Sequence, residues 1–153
     1  MNQIGVYLAG PLFSEQDREL LVRISSRMEE AGLACFVPHR EVGDLSEIAK
    51  QHTERIARQF VFESDINGLK ECALVCALLD GTDVDSGTAA EMGIAFATGK
   101  PILGLCTDLR RRGKTVNNVI WGFCDSGSKI YETVDDLVAA AVLAANETMQ
   151  NSR

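Results

Sequence analysis

No apolar run in this 153-residue chain approaches the roughly 20 residues that a bilayer-spanning helix needs. Positive charge is also scarce. Fifteen Lys and Arg face 22 Asp and Glu, a formal net charge of -7, whereas binding a nucleic-acid backbone usually takes a basic stripe. Nucleic acid and membrane are therefore excluded as expected partners, while small anionic ligands stay open because a helix N-terminus can bind them locally. The start, "MNQIGVYLAG", has no basic segment leading into an apolar one, so no signal peptide is expected. Cysteine is too sparse for a disulfide framework. Five thiols, Cys35, Cys72, Cys76, Cys106 and Cys124, are scattered and mostly inside apolar runs, which predicts five reduced, buried thiols and a cytoplasmic protein. Cys72 and Cys76 are four apart, but no second pair or histidine cluster completes a zinc site. The dinucleotide signature G-x-G-x-x-G is missing from "AGPLFS", and so is a P-loop. A phosphoacceptor role for Asp80 would need an acidic pair after the first strand, and "YLAGP" supplies none.

What is present is alternation. "IGVYLAG" (4–10), "LACFVP" (33–38), "CALVCALLDG" (72–81), "PILGLCTD" (101–108) and "KIYE" (129–132) are short β-rich runs bounded by turn residues and read as strands. Between them lie amphipathic stretches. Residues 14–32 carry Leu20, Leu21, Ile24 and Met28 at helical spacing, with Ser14 as N-cap and Asp17 at the capping-box position. Residues 46–69 form one long helix or two shorter ones, and 87–98 form another. Residues 133–150 give the last helix, capped by Thr133 with Asp136 three positions on. Residues 109–128 read as a loop with a short helical turn. With no repeat, low-complexity segment or linker, residues 1–153 are expected to form a single α/β domain: a doubly wound parallel sheet of five strands in a three-layer αβα arrangement.

Such a sheet binds ligands beyond the carboxyl ends of its strands. That places "YLAGPLF", "LLDGTDVDSGTAAE" and "CTDLRRRGKTVNN" around one crevice. Within the second, Ser86 or Asp85 can cap a helix whose first turns hold Glu91, and the helix dipole there favours an ionised carboxylate. Gly87, Ala89, Ala90 and Gly93 leave room for a ligand. An accessible, ionised carboxylate is the nucleophile of retaining sugar chemistry, which also needs an acid for the leaving group. Asp65, Asp80, Asp83 and Asp85 are all candidates for that acid, and spacing does not choose among them. Of the two histidines, His39 follows the second strand on the crevice side and is a candidate contact for a base, and His52 in the long helix reads as structural.

Four blocks in order, "VYLAGPLFS" (6–14), "DINGLKECALVCALLDG" (65–81), "DSGTAAEMGIAFATGKP" (85–101) and "TDLR…VNNVI" (107–120), resemble the nucleoside 2-deoxyribosyltransferase family over nearly the whole chain. The resemblance implies a flavodoxin-like fold and transfer of 2-deoxyribose between purine or pyrimidine bases through a covalent glycosyl-glutamate. It implies a nucleophile at Glu91, base-handling aspartates at Asp65 and Asp85, and an orienting tyrosine at Tyr7. Gly10, Phe13 and Gly87 would line the substrate, with Phe13 near the base. Asn117 would reach the sugar 5′-hydroxyl of a neighbouring subunit, making the protein a homo-oligomer, a dimer or hexamer. The implied partners are a nucleoside and a nucleobase; no metal or organic cofactor is implied.

Two other readings stand beside it. Relatives with the same fold hydrolyse nucleoside 5′-monophosphates, and the run Arg110, Arg111, Arg112, Lys114 would suit a phosphate. The intact "AGPLF" block favours transfer. A non-catalytic nucleotide-binding domain is also compatible with the fold, but leaves the set Tyr7, Asp65, Asp85 and Glu91 without a purpose.

Overall fold

Period-2 alternation in the first strand decides how the layers form. In β1 (Gly5–Ala9), Val6 and Leu8 face one side of the sheet and Tyr7 and Ala9 the other, and all four are buried. The computed structural model describes residues 5–43, 45–108 and 116–151. The element order continues α1 (Glu15–Glu30), β2 (Ala34–Phe36), α2 (Pro38–Glu41), α3 (Leu45–Gln51), α4 (Glu54–Glu71), β3 (Leu74–Leu78), α5 (Ser86–Ala97), β4 (Ile102–Leu105), α6 (Asn118–Phe123), β5 (Ile130–Tyr131) and α7 (Val134–Asn151). All strand pairs are parallel and the order is β2-β1-β3-β4-β5. This is the flavodoxin-like, doubly wound arrangement, whose switch in strand order falls between β1 and β3.

Two apolar layers sandwich the sheet. Leu21, Ile24 and Met28 of α1 join Leu137 and Ala141 of α7 against Val6, Leu8, Leu74 and Leu103. On the other face, Leu69 of α4, Met92 and Ala95 of α5 and Ile120 of α6 pack on Tyr7, Val75 and Ala77. β3 is buried along its whole length, as a central parallel strand must be.

Most local signals act as read. Ser14 and Asp17 form the reciprocal capping box at the start of α1, and Thr133 accepts from the Asp136 amide at the start of α7. The stretch 46–69 resolves into two helices, because Thr53 caps a new one by accepting from the Ile56 amide. His52 lies in that break, exposed, rather than inside a helix. Pro38 begins α2 instead of ending a strand, since proline suits the first turn of a helix, where no N–H is needed. None of the five thiols is in a disulfide, but only Cys72, Cys76 and Cys124 are buried; Cys35 and Cys106 are partly exposed. No helix among the described residues is long and apolar enough to cross a membrane.

Candidate active site

The site begins at the N-terminus of α5. Asp85 caps this helix: its Oδ2 accepts from the Thr88 amide at 3.0 Å and lies 3.3 Å from Thr88 Oγ1. Thr88 is itself buried, which fixes the cap. Gly87 keeps the space above the cap open, because a Cβ there would come within 3.1 Å of Asp85 Oδ2. Glu91 follows in the second turn and turns toward the sheet. There the Tyr7 hydroxyl donates to its Oε1 at 2.7 Å.

Tyr7 sits mid-strand in β1, in register with Phe36 and Val75, not at the strand end. It reaches the site because Glu91 descends onto it. Its ring is fully buried and stacks on Phe36, with centroids 5.2 Å apart and planes 11° off parallel. Gly68 of α4 also packs against Phe36; a Cβ there would be 2.7 Å from the ring. The chain Gly68, Phe36, Tyr7, Glu91 thus runs from α4 to the carboxylate.

A cavity of about 580 Å³ opens above Glu91. Gly10, Phe13, Asp65, Asp85, Gly87 and Glu91 all line it, so the fold brings together every acid and glycine that the resemblance pointed to. Gly10 packs closely there: a Cβ would press to 2.9 Å from Leu21 Cδ2. Phe13 stands at the rim, 85% exposed. Asp65 comes from α4, and its Oδ1 is buried with no hydrogen-bond partner. Asn117 is not part of this cavity. It caps α6, accepting from the Val119 amide at 2.9 Å, and is exposed.

Two of the four candidate acids are used elsewhere. Asp80 accepts from the Thr107 amide at 2.6 Å, the Thr107 hydroxyl at 2.5 Å and the Asp108 amide at 3.0 Å, tying the segment after β4 to the end of β3. Asp83 Oδ1 accepts from the Val84 amide at the surface. Asp65 and Asp85 remain. Arg110, Arg111, Arg112 and Lys114 lie outside the described residues.

Burial sets the electrostatics. Glu91 is pushed from the ordinary 4.5 to about 7, mainly by desolvation; the Tyr7 hydrogen bond opposes the rise, and the charges of Asp65 and Asp85 add to it. The helix dipole therefore does not keep this glutamate strongly acidic, contrary to the sequence expectation. Asp65 rises from 3.8 to about 6, again by burial and not by a neighbouring charge. Tyr7 is driven far above its usual range by burial and then by Glu91, so its hydroxyl stays a donor. His39 lines the opposite wall with its Nδ1 buried and unpartnered. Burial, then the charges of Arg18 and Arg40, pull its pKa down, which keeps it neutral near pH 7. Arg18, which the sequence did not single out, lines the same wall and donates to the Leu12 carbonyl at 2.7 Å. Among the described residues, no group of three or more His, Cys, Asp or Glu is placed to hold a metal ion.

A buried tyrosine–glutamate pair beneath a cavity that also holds two aspartates is an arrangement suited to glycosyl transfer. The family model for nucleoside 2-deoxyribosyltransferase matches residues 6–128, a span that contains all of these side chains and ends before the terminal helix α7. The chain belongs to the nucleoside 2-deoxyribosyltransferase family. Solved structures agree on the fold. A 2-deoxyribosyltransferase from Bacillus psychrosaccharolyticus superposes with a TM-score of 0.66 at 23% identity, covering 88% of this chain and 90% of the other. One from Leishmania mexicana gives 0.64 at 18% identity, covering 91% and 97%. A conserved protein from Enterococcus faecalis gives 0.74 at 22% identity, covering 90% and 96%. A search of curated proteins gave no match. Family membership supports glycosyl transfer on nucleosides as the activity of this chain.

Proposed function

We propose that the protein transfers 2-deoxyribose from one nucleobase to another in two displacements, with Glu91 as the nucleophile. The observation that carries this is the 2.7 Å hydrogen bond from Tyr7 to Glu91 Oε1 at the floor of the cavity. Tyr7 occupies Oε1 and leaves Oε2 to attack the anomeric carbon. As the Glu91–C1′ bond forms, the C1′–N bond breaks and its electron pair passes to the base nitrogen. Asp65, held partly protonated by burial, supplies the proton that lets the base leave neutral. Asp85 lines the same cavity, its Oδ2 fixed by Thr88, and orients the base. A second base then attacks C1′ from the vacated side, returns its proton to Asp65 and releases Glu91.

The active protonation state is ionised Glu91 with protonated Asp65. With pKa values near 7 and 6, only about one molecule in twenty holds that state at the midpoint, treating the two sites as independent. The cost is offset by a nucleophile more basic than an ordinary carboxylate. Phe13 offers a face for stacking on the base. The exposed Asn117, outside its own chain's cavity, is presented to a second copy, where it would meet the 5′-hydroxyl of the partner's substrate. Residues 1–153 act as one domain in this scheme.

The test is to incubate the protein with deoxyinosine or thymidine, with and without adenine, beside a Glu91→Ala control. Deoxyadenosine appearing only with intact Glu91 supports the reading. Release of free base without deoxyadenosine assigns a hydrolase instead, and no reaction of nucleosides or their 5′-monophosphates leaves a binding domain.

A further inference from the structure

Arg18 is half-buried on the cavity wall. Arg27, Arg40 and Arg58 each meet a carboxylate at 2.8–2.9 Å, but Arg18 has no such partner among the described residues. One of its five N–H groups donates to the Leu12 carbonyl, which holds the guanidinium in place. An arginine fixed at a cavity without a carboxylate is a fork of donors set for an acceptor pair on a ligand. Beside it, His39 Nδ1 is likewise unpartnered. The cavity is therefore two-sided: carboxylates on the α4 and α5 side, donors on the α1 and α2 side.

Glu91 fixes the sugar on the first side, so either the base or the 5′ end of a nucleoside extends toward Arg18. Three observations select the base. The cavity also has apolar lining, from Leu12, Pro38 and Val42 on the Arg18 side and Val61 of α4 facing them, as suits a planar ring. Phe13, at 85% exposure, offers a face on which that ring can stack. The carboxylates of Glu15, Asp17 and Glu19 stand on the same stretch of α1, and the Asp17 carboxylate already serves the capping box, so a dianionic phosphate there would be repelled.

We infer that Arg18 reads the base, donating in bidentate fashion to N7 and O6 of a 6-oxopurine, and so makes this enzyme prefer hypoxanthine- or guanine-type bases over adenine. Adenine offers N7 but turns its amino group, a second donor, toward the same fork. This assignment rests on the proposed nucleoside chemistry, but it is read by binding without turnover.

Calorimetry would compare hypoxanthine and adenine on the native protein, Arg18→Gln and Arg18→Lys. The native protein is expected to bind hypoxanthine about tenfold tighter. Arg18→Gln is expected to reverse that order, because a side-chain amide pairs with the N6/N7 edge of adenine. Arg18→Lys, which keeps charge without the fork, is expected to lose most of the discrimination. If Arg18 merely holds Leu12, both bases weaken by the same factor and the ratio stands, which overturns the assignment. A ratio that never favours hypoxanthine, or no binding of either base, overturns it too. So does selective loss of deoxyinosine 5′-monophosphate over deoxyinosine in Arg18→Gln, which would assign Arg18 to a phosphate. Discrimination present without sugar transfer would instead sink the transferase reading alone.

Discussion

Glu91→Gln is expected to make the protein more stable, and only above a definite pH. The buried glutamate titrates near 7 in the folded chain against an ordinary 4.5. A raised carboxyl pKa means that the folded state binds the proton more tightly than the unfolded state. Stability contributed by this group is therefore full below about 4.5 and is lost as pH climbs through about 7. At about 1.4 kcal/mol per pKa unit, a shift of this size corresponds to about 3 kcal/mol of destabilisation once Glu91 is fully ionised, or about 2 kcal/mol after allowing for its partial exposure. Glutamine keeps the shape and an oxygen for Tyr7 but carries no charge. Denaturant unfolding at about pH 9 should show the variant ahead of the native protein by about 2–3 kcal/mol, with the gap closing toward pH 4.5. A variant equal to or weaker than the native protein at the alkaline end would show that burial does not strain Glu91, and the reasoning would fail.

Three further outcomes follow from the same contacts. The pH profile of kcat/KM is expected to be a narrow bell centred between the Asp65 and Glu91 values of about 6 and about 7; in Tyr7→Phe the hydrogen bond that lowers the Glu91 pKa is gone, so the alkaline limb moves to higher pH while the acidic limb stays with Asp65, and the rate drops by roughly 10- to 100-fold. Asp80→Ala, which orphans the amides of Thr107 and Asp108, is expected to cost about 1–3 kcal/mol in unfolding free energy while leaving the shape of the pH profile intact. Gly68→Ala drives a methyl into the Phe36 ring; a loss of about 1–3 kcal/mol should come with a lower kcat, since Phe36 stacks on Tyr7, whereas a loss of stability with unchanged kcat would break that link.

The fold was legible because its signals are local. The apolar strands, the Ser14 and Thr133 caps and the glycine stops each announce an element boundary in a few residues, and regular strand–helix alternation leaves few topologies. The break at Thr53 and the helix at Pro38 were harder, since both depend on a single capping or first-turn residue whose signal also fits a loop. At the site, the place of Asp85 and Glu91 followed from the strand ends and that of Asp65, inside α4, only from the family resemblance, but their protonation followed from neither. The helix-dipole argument favours an ionised Glu91, and desolvation by the α4 and α5 layers, which no spacing reveals, outweighs it. Asp80 and Asp83 could not be set aside in sequence, because Thr107 and Val84 consume them only in three dimensions. Arg18 went unmarked for a similar reason: on one helix with Glu15, Asp17 and Glu19 it looks like an ordinary surface cation, and only its place on the cavity wall separates it from one.

The most direct test of the central claim is to quench the protein with acid while it turns over deoxyinosine without an acceptor base, digest it and weigh the peptide that carries Glu91. The account predicts a deoxyribosyl increment on Glu91 that disappears when adenine is added before the quench. An unmodified Glu91 peptide under conditions where the base is being released, or an increment on another residue, would contradict it.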